Sequence, residues 1–115
     1  MSPNVLGLLA GSDPALREEV VVVTAHWDHF GRNPALTGDQ IFNGAFDNAL
    51  GTASMLEMAR VLAAGPRPKR SVLFVATTAE ESGLLGATWY TRQPRFPLSK
   101  TVAAVNLDAG NPWGR

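Results

Sequence analysis

The chain has no cysteine, which excludes disulfides, thiolate metal sites and a cysteine nucleophile and leaves the redox compartment open. It has no surplus of charge. Ten Lys and Arg stand against ten Asp and Glu, so there is no basic field for nucleic acid and no polybasic face for a membrane surface. Long apolar runs are also missing, and none approaches the roughly 18 residues of a membrane span. The opening Met-Ser-Pro-Asn-Val-Leu-Gly-Leu-Leu-Ala-Gly lacks the charged leader and long apolar region of a signal peptide. Charged residues make up only 17% of the chain, while 45% is hydrophobic. The usual charged share is about a quarter, so the balance suits a globular fold whose apolar surface awaits further segments. At 115 residues the length is that of one ordinary domain, and residues 1–115 are expected to form a single, partial one.

What is present is organised as alternating apolar strands and helices. Glu19 to Ala25 holds four consecutive valines, the pattern of a central strand buried on both faces. Trp27 to Gly44 is rich in Gly, Pro, Asn and Asp and is long enough to be read as a functional loop. A helix is predicted from about Asn48 to Ala64, with Ala49, Ala53, Leu56, Ala59 and Ala63 on one stripe and Ser54, Glu57 and Arg60 on the other. Gly65-Pro66 ends it. Further strands are expected at Arg70 to Thr77, Thr101 to Leu107 and near Val5 to Leu9, with a short helix from about Leu84 to Arg92. This order predicts an α/β sandwich with a mostly parallel sheet.

In such sheets ligands bind beyond the carboxyl ends of the strands, and those positions are charged here: His26 and Asp28, Glu80 and Glu81, and Asp108, with Asp47 at the start of the long helix. Each has an ordinary explanation when taken alone. Asp47 could cap the helix, Glu80-Glu81 could be a solvated pair in a first helical turn, Asp108 could open a turn, and His26 could be a hydrogen-bonded surface residue. Together they conflict, because several carboxylates gathered at one sheet edge repel one another unless cations compensate them. Imidazole and carboxylate without thiolate suit a catalytic zinc site, with manganese and cobalt as competitors.

Four segments carry a resemblance. Thr24-Ala25-His26-Trp27-Asp28, Asn43 to Gly51 (NGAFDNALG), Ala79 to Gly86 (AEESGLLG) and Asn106-Leu107-Asp108 resemble, in order and spacing, the signature segments of metallopeptidase family twenty-eight. That family includes aminopeptidases, glutamate carboxypeptidases and, on the same fold, glutaminyl cyclases. The resemblance implies the three-layer zinc-exopeptidase fold and a two-zinc site. His26 and Asp108 look like ligands of one zinc, Asp47 like the bridging carboxylate, and Glu81 like a ligand of the other. Asp28 is similar to the carboxylate that orients the liganding imidazole, and Glu80 matches the general base, which does not itself bind metal. Leu50 stands where the family usually has Ser or Thr.

The family's fifth ligand is a histidine well downstream of the third motif. The two histidines here, His26 and His29, both lie in the first segment. One well-formed zinc site, with His26, Asp47 and Asp108, is therefore expected, beside a second with only Asp47 and Glu81. His29 is one candidate to substitute for the missing ligand, but it sits three residues from His26 on a loop, and it is read as solvent-facing or substrate-side. The implied activity is metal-dependent hydrolysis of a peptide bond at a chain terminus, aminopeptidase-type, on a peptide substrate, with an inactive fragment as the alternative reading of this chain. Two other readings are a glutaminyl cyclase-type zinc acyltransferase and a non-catalytic binding module of the same fold. Export to the periplasm or cell exterior is frequent in the family, and self-association through an unpaired sheet edge is a further expectation.

Overall fold

The structure, a computed structural model, describes residues 2–109. Four strands, β1 (Val5–Leu9), β2 (Val20–His26), β3 (Ser71–Thr77) and β4 (Thr101–Asn106), form one sheet in the order β1-β3-β2-β4. β2 runs parallel to both β3 and β4, and β1 pairs antiparallel with β3. The sheet is thus mixed but mostly parallel. Among the described residues no helix is long and apolar enough to cross a membrane.

Alternation along the strands builds a core on each face of the sheet. Val20 and Val22 of β2 join Leu73 and Val75 of β3 against Tyr90 on α2 (Leu85–Arg92). Val23 and Ala25 join Val72 and Phe74 on the opposite face, against Met55 on α1 (Leu50–Ala64). Three layers result, α1, sheet and α2, as expected. The valine run is buried because it lies between two strands and beneath two helices.

The structure departs from expectation in two places. Of the Ala49, Ala53, Leu56, Ala59 and Ala63 stripe, α1 turns only Ala59 to the sheet core: Leu56 is 63% exposed. Its inward face is Gly51, Met55, Met58, Ala59 and Leu62, a spacing that equally fits one side of a helix. Met55 fills the space over Val23 and Phe74 that alanines would leave open. The long helix also does not begin at Asn48. Ala45–Ala49 forms a separate wide turn in which Asp47 (φ −124°, ψ 88°) and Asn48 (φ −138°, ψ 40°) are non-helical. β4 is an exposed edge strand from Val102 to Asn106, because it has β2 on one side only.

The register sets the site. His26 is opposite Thr77 and Thr24 is opposite Asn106. Trp27 N–H continues the ladder to Thr77 O (3.0 Å), and Leu107 N–H to Thr24 O (2.8 Å). The carboxyl ends of β2, β3 and β4 therefore finish side by side.

Candidate metal centre

His26 closes β2 with its side chain 3% exposed. Its Nδ1 lies 3.1 Å from the carbonyl oxygen of Asp28 and 3.8 Å from that residue's carboxylate. A donor at Nδ1 leaves the Nε2 lone pair free and fixes the ring. Asp28 also accepts a hydrogen bond from Glu80 N–H at Oδ1 (3.1 Å), which ties the loop after β2 to the turn after β3. Thr52 Oγ1 on α1 donates to His26 O (3.0 Å), so the strand end is held from a third direction.

Asp47 reaches the site because its neighbour takes the capping work. Asn48 is buried, its Oδ1 accepts from Gly51 N–H (3.0 Å), and its Nδ2 donates to Leu107 O (2.8 Å). This pair of bonds fastens the start of α1 to the end of β4. Gly51 is required there, since a Cβ would meet both the Asn48 side chain and Leu107 O. Asp47 is left out of the helix, and Asp108, one residue past Leu107, stands beside it. The sequence reading treated a helix cap as Asp47's ordinary role, and the structure gives the capping-type bond to Asn48.

Asp47 Oδ1 lies 2.9 Å and Asp108 Oδ1 3.3 Å from His26 Nε2, yet that buried nitrogen has no hydrogen-bond partner. The two oxygens are close in distance but wrongly directed for an N–H bond. Ligands of a tetrahedral zinc with bonds of about 2.0–2.1 Å sit about 3.3 Å apart, a spacing that the Asp108 oxygen matches and the Asp47 oxygen, at 2.9 Å, falls slightly short of. The donor set of one imidazole and two carboxylates therefore fits zinc. His26, Glu80 and Glu81 form a second convergent group, and His29, Asp47 and Glu81 a third, the donor atoms of each lying within 4.8 Å of one another.

Glu80 and Glu81 occupy the turn after β3, closed by Gly83 N–H to Glu80 O (2.9 Å) and Leu84 N–H to Glu80 O (2.9 Å). Glu81 is 13% exposed and accepts from His29 Nδ1 at 2.6 Å. His29 was expected to face solvent or substrate, and it instead contacts the expected zinc ligand Glu81. Sequence spacing could not reveal this, because the two residues are joined only by the path of two loops.

Burial lowers the affinity of His26 for a proton, but the charge of Asp108, the Asp28 carbonyl and the charges of Glu80 and Asp47 outweigh it, and the pKa is raised from 6.5. Without a cation the cluster thus recruits a proton, the expected response of an imidazole placed among carboxylates. Beside the centre, a mainly apolar groove of about 290 Å³ runs along the α2 face from His26, Glu80 and Asp108 past Thr24 and Val22 to Leu98.

The sequence profile of Peptidase family M28 matches residues 4–115. The chain belongs to this family. It is 37% identical over 114 residues to aminopeptidase YwaD of Bacillus subtilis, covering 97% of this chain and 23% of that protein. It is 36% identical to aminopeptidase NAALADL1 of Mus musculus, covering 93% of this chain and 13% of the relative. The crystal structure of BSAP, a zinc aminopeptidase from Bacillus subtilis, superposes with a TM-score of 0.73 at 35% identity, over 92% of this chain and 24% of that one. The chain thus spans about a quarter or less of the length of these family members.

Proposed function

We propose that this chain is the metal-binding core of an M28 exopeptidase that removes residues from the amino terminus of peptides. The observation that carries the reading is the buried His26 Nε2, without a hydrogen bond, between the carboxylates of Asp47 and Asp108. His26, Asp47 and Asp108 would hold one zinc, and Asp47 and Glu81 would supply ligands to a second. The similarity to proteins named aminopeptidases and zinc metalloproteases supports the same reading.

When bound, zinc supplies Lewis-acid polarisation of a carbonyl and acidifies water. The chain's own residues do the rest. Asp28 keeps His26 in the tautomer that presents Nε2. Glu80, whose backbone is held by Asp28, takes a proton from the attacking water at its carboxylate and returns it to the leaving amine. The exposed edge of β4 is where a further strand, or a second copy, would pair.

Zinc content and turnover of an aminoacyl anilide test the proposal. Asp47→Ala should lose zinc and turnover together, whereas Glu80→Gln should keep zinc and lose turnover. Zinc retained in Asp47→Ala, or full turnover in Glu80→Gln, would remove the assignment. Cyclisation of an N-terminal glutamine peptide without anilide cleavage would favour the acyltransferase instead.

A further inference from the structure

His29 is not required by the roles assigned above, yet it is among the most constrained side chains of the loop after β2. Its ring is 20% exposed and packs against Phe30 (centroids 5.2 Å apart) and Phe42 (6.2 Å), which also contact each other (5.5 Å). On another side lies Gly44, with φ +65°, where an added Cβ would be 3.1 Å from His29 Cδ2 and Cγ. The loop is itself cross-tied, by Phe42 N–H to Gly31 O (2.7 Å), Asn33 N–H to Gln40 O (2.9 Å) and the Arg32 guanidinium on Gln40 Oε1. Aromatic packing and a missing Cβ fix the plane of the imidazole, and the fixed plane aims Nδ1 at Glu81.

Two roles are open to an imidazole so placed. As ligands of one zinc, His29 and Glu81 would have donor atoms about 3.3 Å apart. The observed 2.6 Å is instead the length of a charge-assisted hydrogen bond, which falls below about 2.9 Å. We propose that His29 is a positioning residue: its Nδ1–H donates to Glu81 Oε1 and holds that carboxylate in the orientation that binds the second zinc. The Trp27 to Gly44 loop then serves to deliver this donor. The inference rests on the metal-centre reading above and deepens it, because it concerns how one ligand of that centre is held.

The test uses the purified protein, with zinc affinity read by competition against a chromophoric chelator. His29→Leu removes the donor, and His29→Asn places an amide N–H close to the Nδ1 position. His29→Leu should weaken the more weakly held zinc by about 10–100-fold, and His29→Asn should recover most of the loss. In a Glu81→Ala background His29→Leu should add nothing further, since a residue acting only through Glu81 has nothing left to act on. Unchanged affinity in His29→Leu would overturn the proposal, as would equal damage from His29→Asn.

The imidazole tautomer, read by nitrogen NMR of the zinc-loaded native protein, gives a check that does not depend on any variant folding. A proton on Nδ1 supports the proposal, and a proton on Nε2 with zinc on Nδ1 overturns it in favour of direct ligation. Zinc retained by Asp47→Ala would defeat the metal-centre reading, while the tautomer would still show whether His29 donates to Glu81.

Discussion

His26, Asp47 and Asp108 stand at or just beyond the ends of regular elements that are tied to one another, whereas His29 and Glu81 arrive on loops. The first group stands at the end of β2, one residue past the β4 ladder extension at Leu107, and at the turn that Asn48 fastens to that same residue. The second depends on one side-chain hydrogen bond and a small aromatic stack. Sites built on strands and helices are held more closely than sites built on loops. The His26 half is therefore rigid by construction, and the Glu81 half has to be held by a dedicated donor.

The comparison breaks most completely at the shared residue. Asp47→Ala should weaken zinc in both halves by more than the ~100-fold at the upper end for losing an outer partner, as titration calorimetry would report. A loss confined to one half would mean that Asp47 does not bridge them. Leu73→Ala is next. Leu73 is buried in the core between the sheet and α2, and the substitution should cost about 2–5 kcal/mol in denaturant unfolding. Both halves should then fail in the same transition.

Asp28→Ala sharpens the difference, because it removes a carboxylate near His26 while leaving the carbonyl that is closer to Nδ1. Its effect should lie near ~10-fold in zinc affinity, the low end for an outer partner, and should leave the His29 tautomer unchanged. An equal loss in both halves would show them coupled through Asp28 and Glu80.

Acidity separates the zinc-free and zinc-bound forms. The pKa of His26 is raised above its unfolded value of 6.5. In chelator, its protonation therefore contributes stability that is fully present below 6.5 and is lost as pH rises through the folded value. Zinc reverses the sign, since the ligand must be deprotonated and binding strengthens as pH rises. Urea midpoints on either side of the folded value, with and without zinc, should show opposite slopes. Parallel slopes would mean that His26 is not the group that exchanges a proton for zinc.

Much of the fold was legible from apolar runs. β1 falls at Val5–Leu9 as expected, and β2, β3 and α2 lie within a residue of their expected ends, because a strand buried on both faces leaves a strong local signal. The order of the motifs was equally legible: residues that follow parallel strands share an edge whatever the loops do. The inward face of α1 was not, since an alanine stripe and a methionine stripe are both helical faces and only the sheet beneath selects between them.

Local chemistry in the chain was enough to determine the alternation of strand and helix, the family, and which carboxylates and which imidazole meet at the sheet edge. Tertiary structure alone decided that Asn48 rather than Asp47 makes the capping bond, that His26 Nε2 is buried without a hydrogen bond, and that His29 meets Glu81. Each of these depends on groups 3 to 82 positions apart closing on one another, and such distances are set by packing, which periodicity along a chain does not encode.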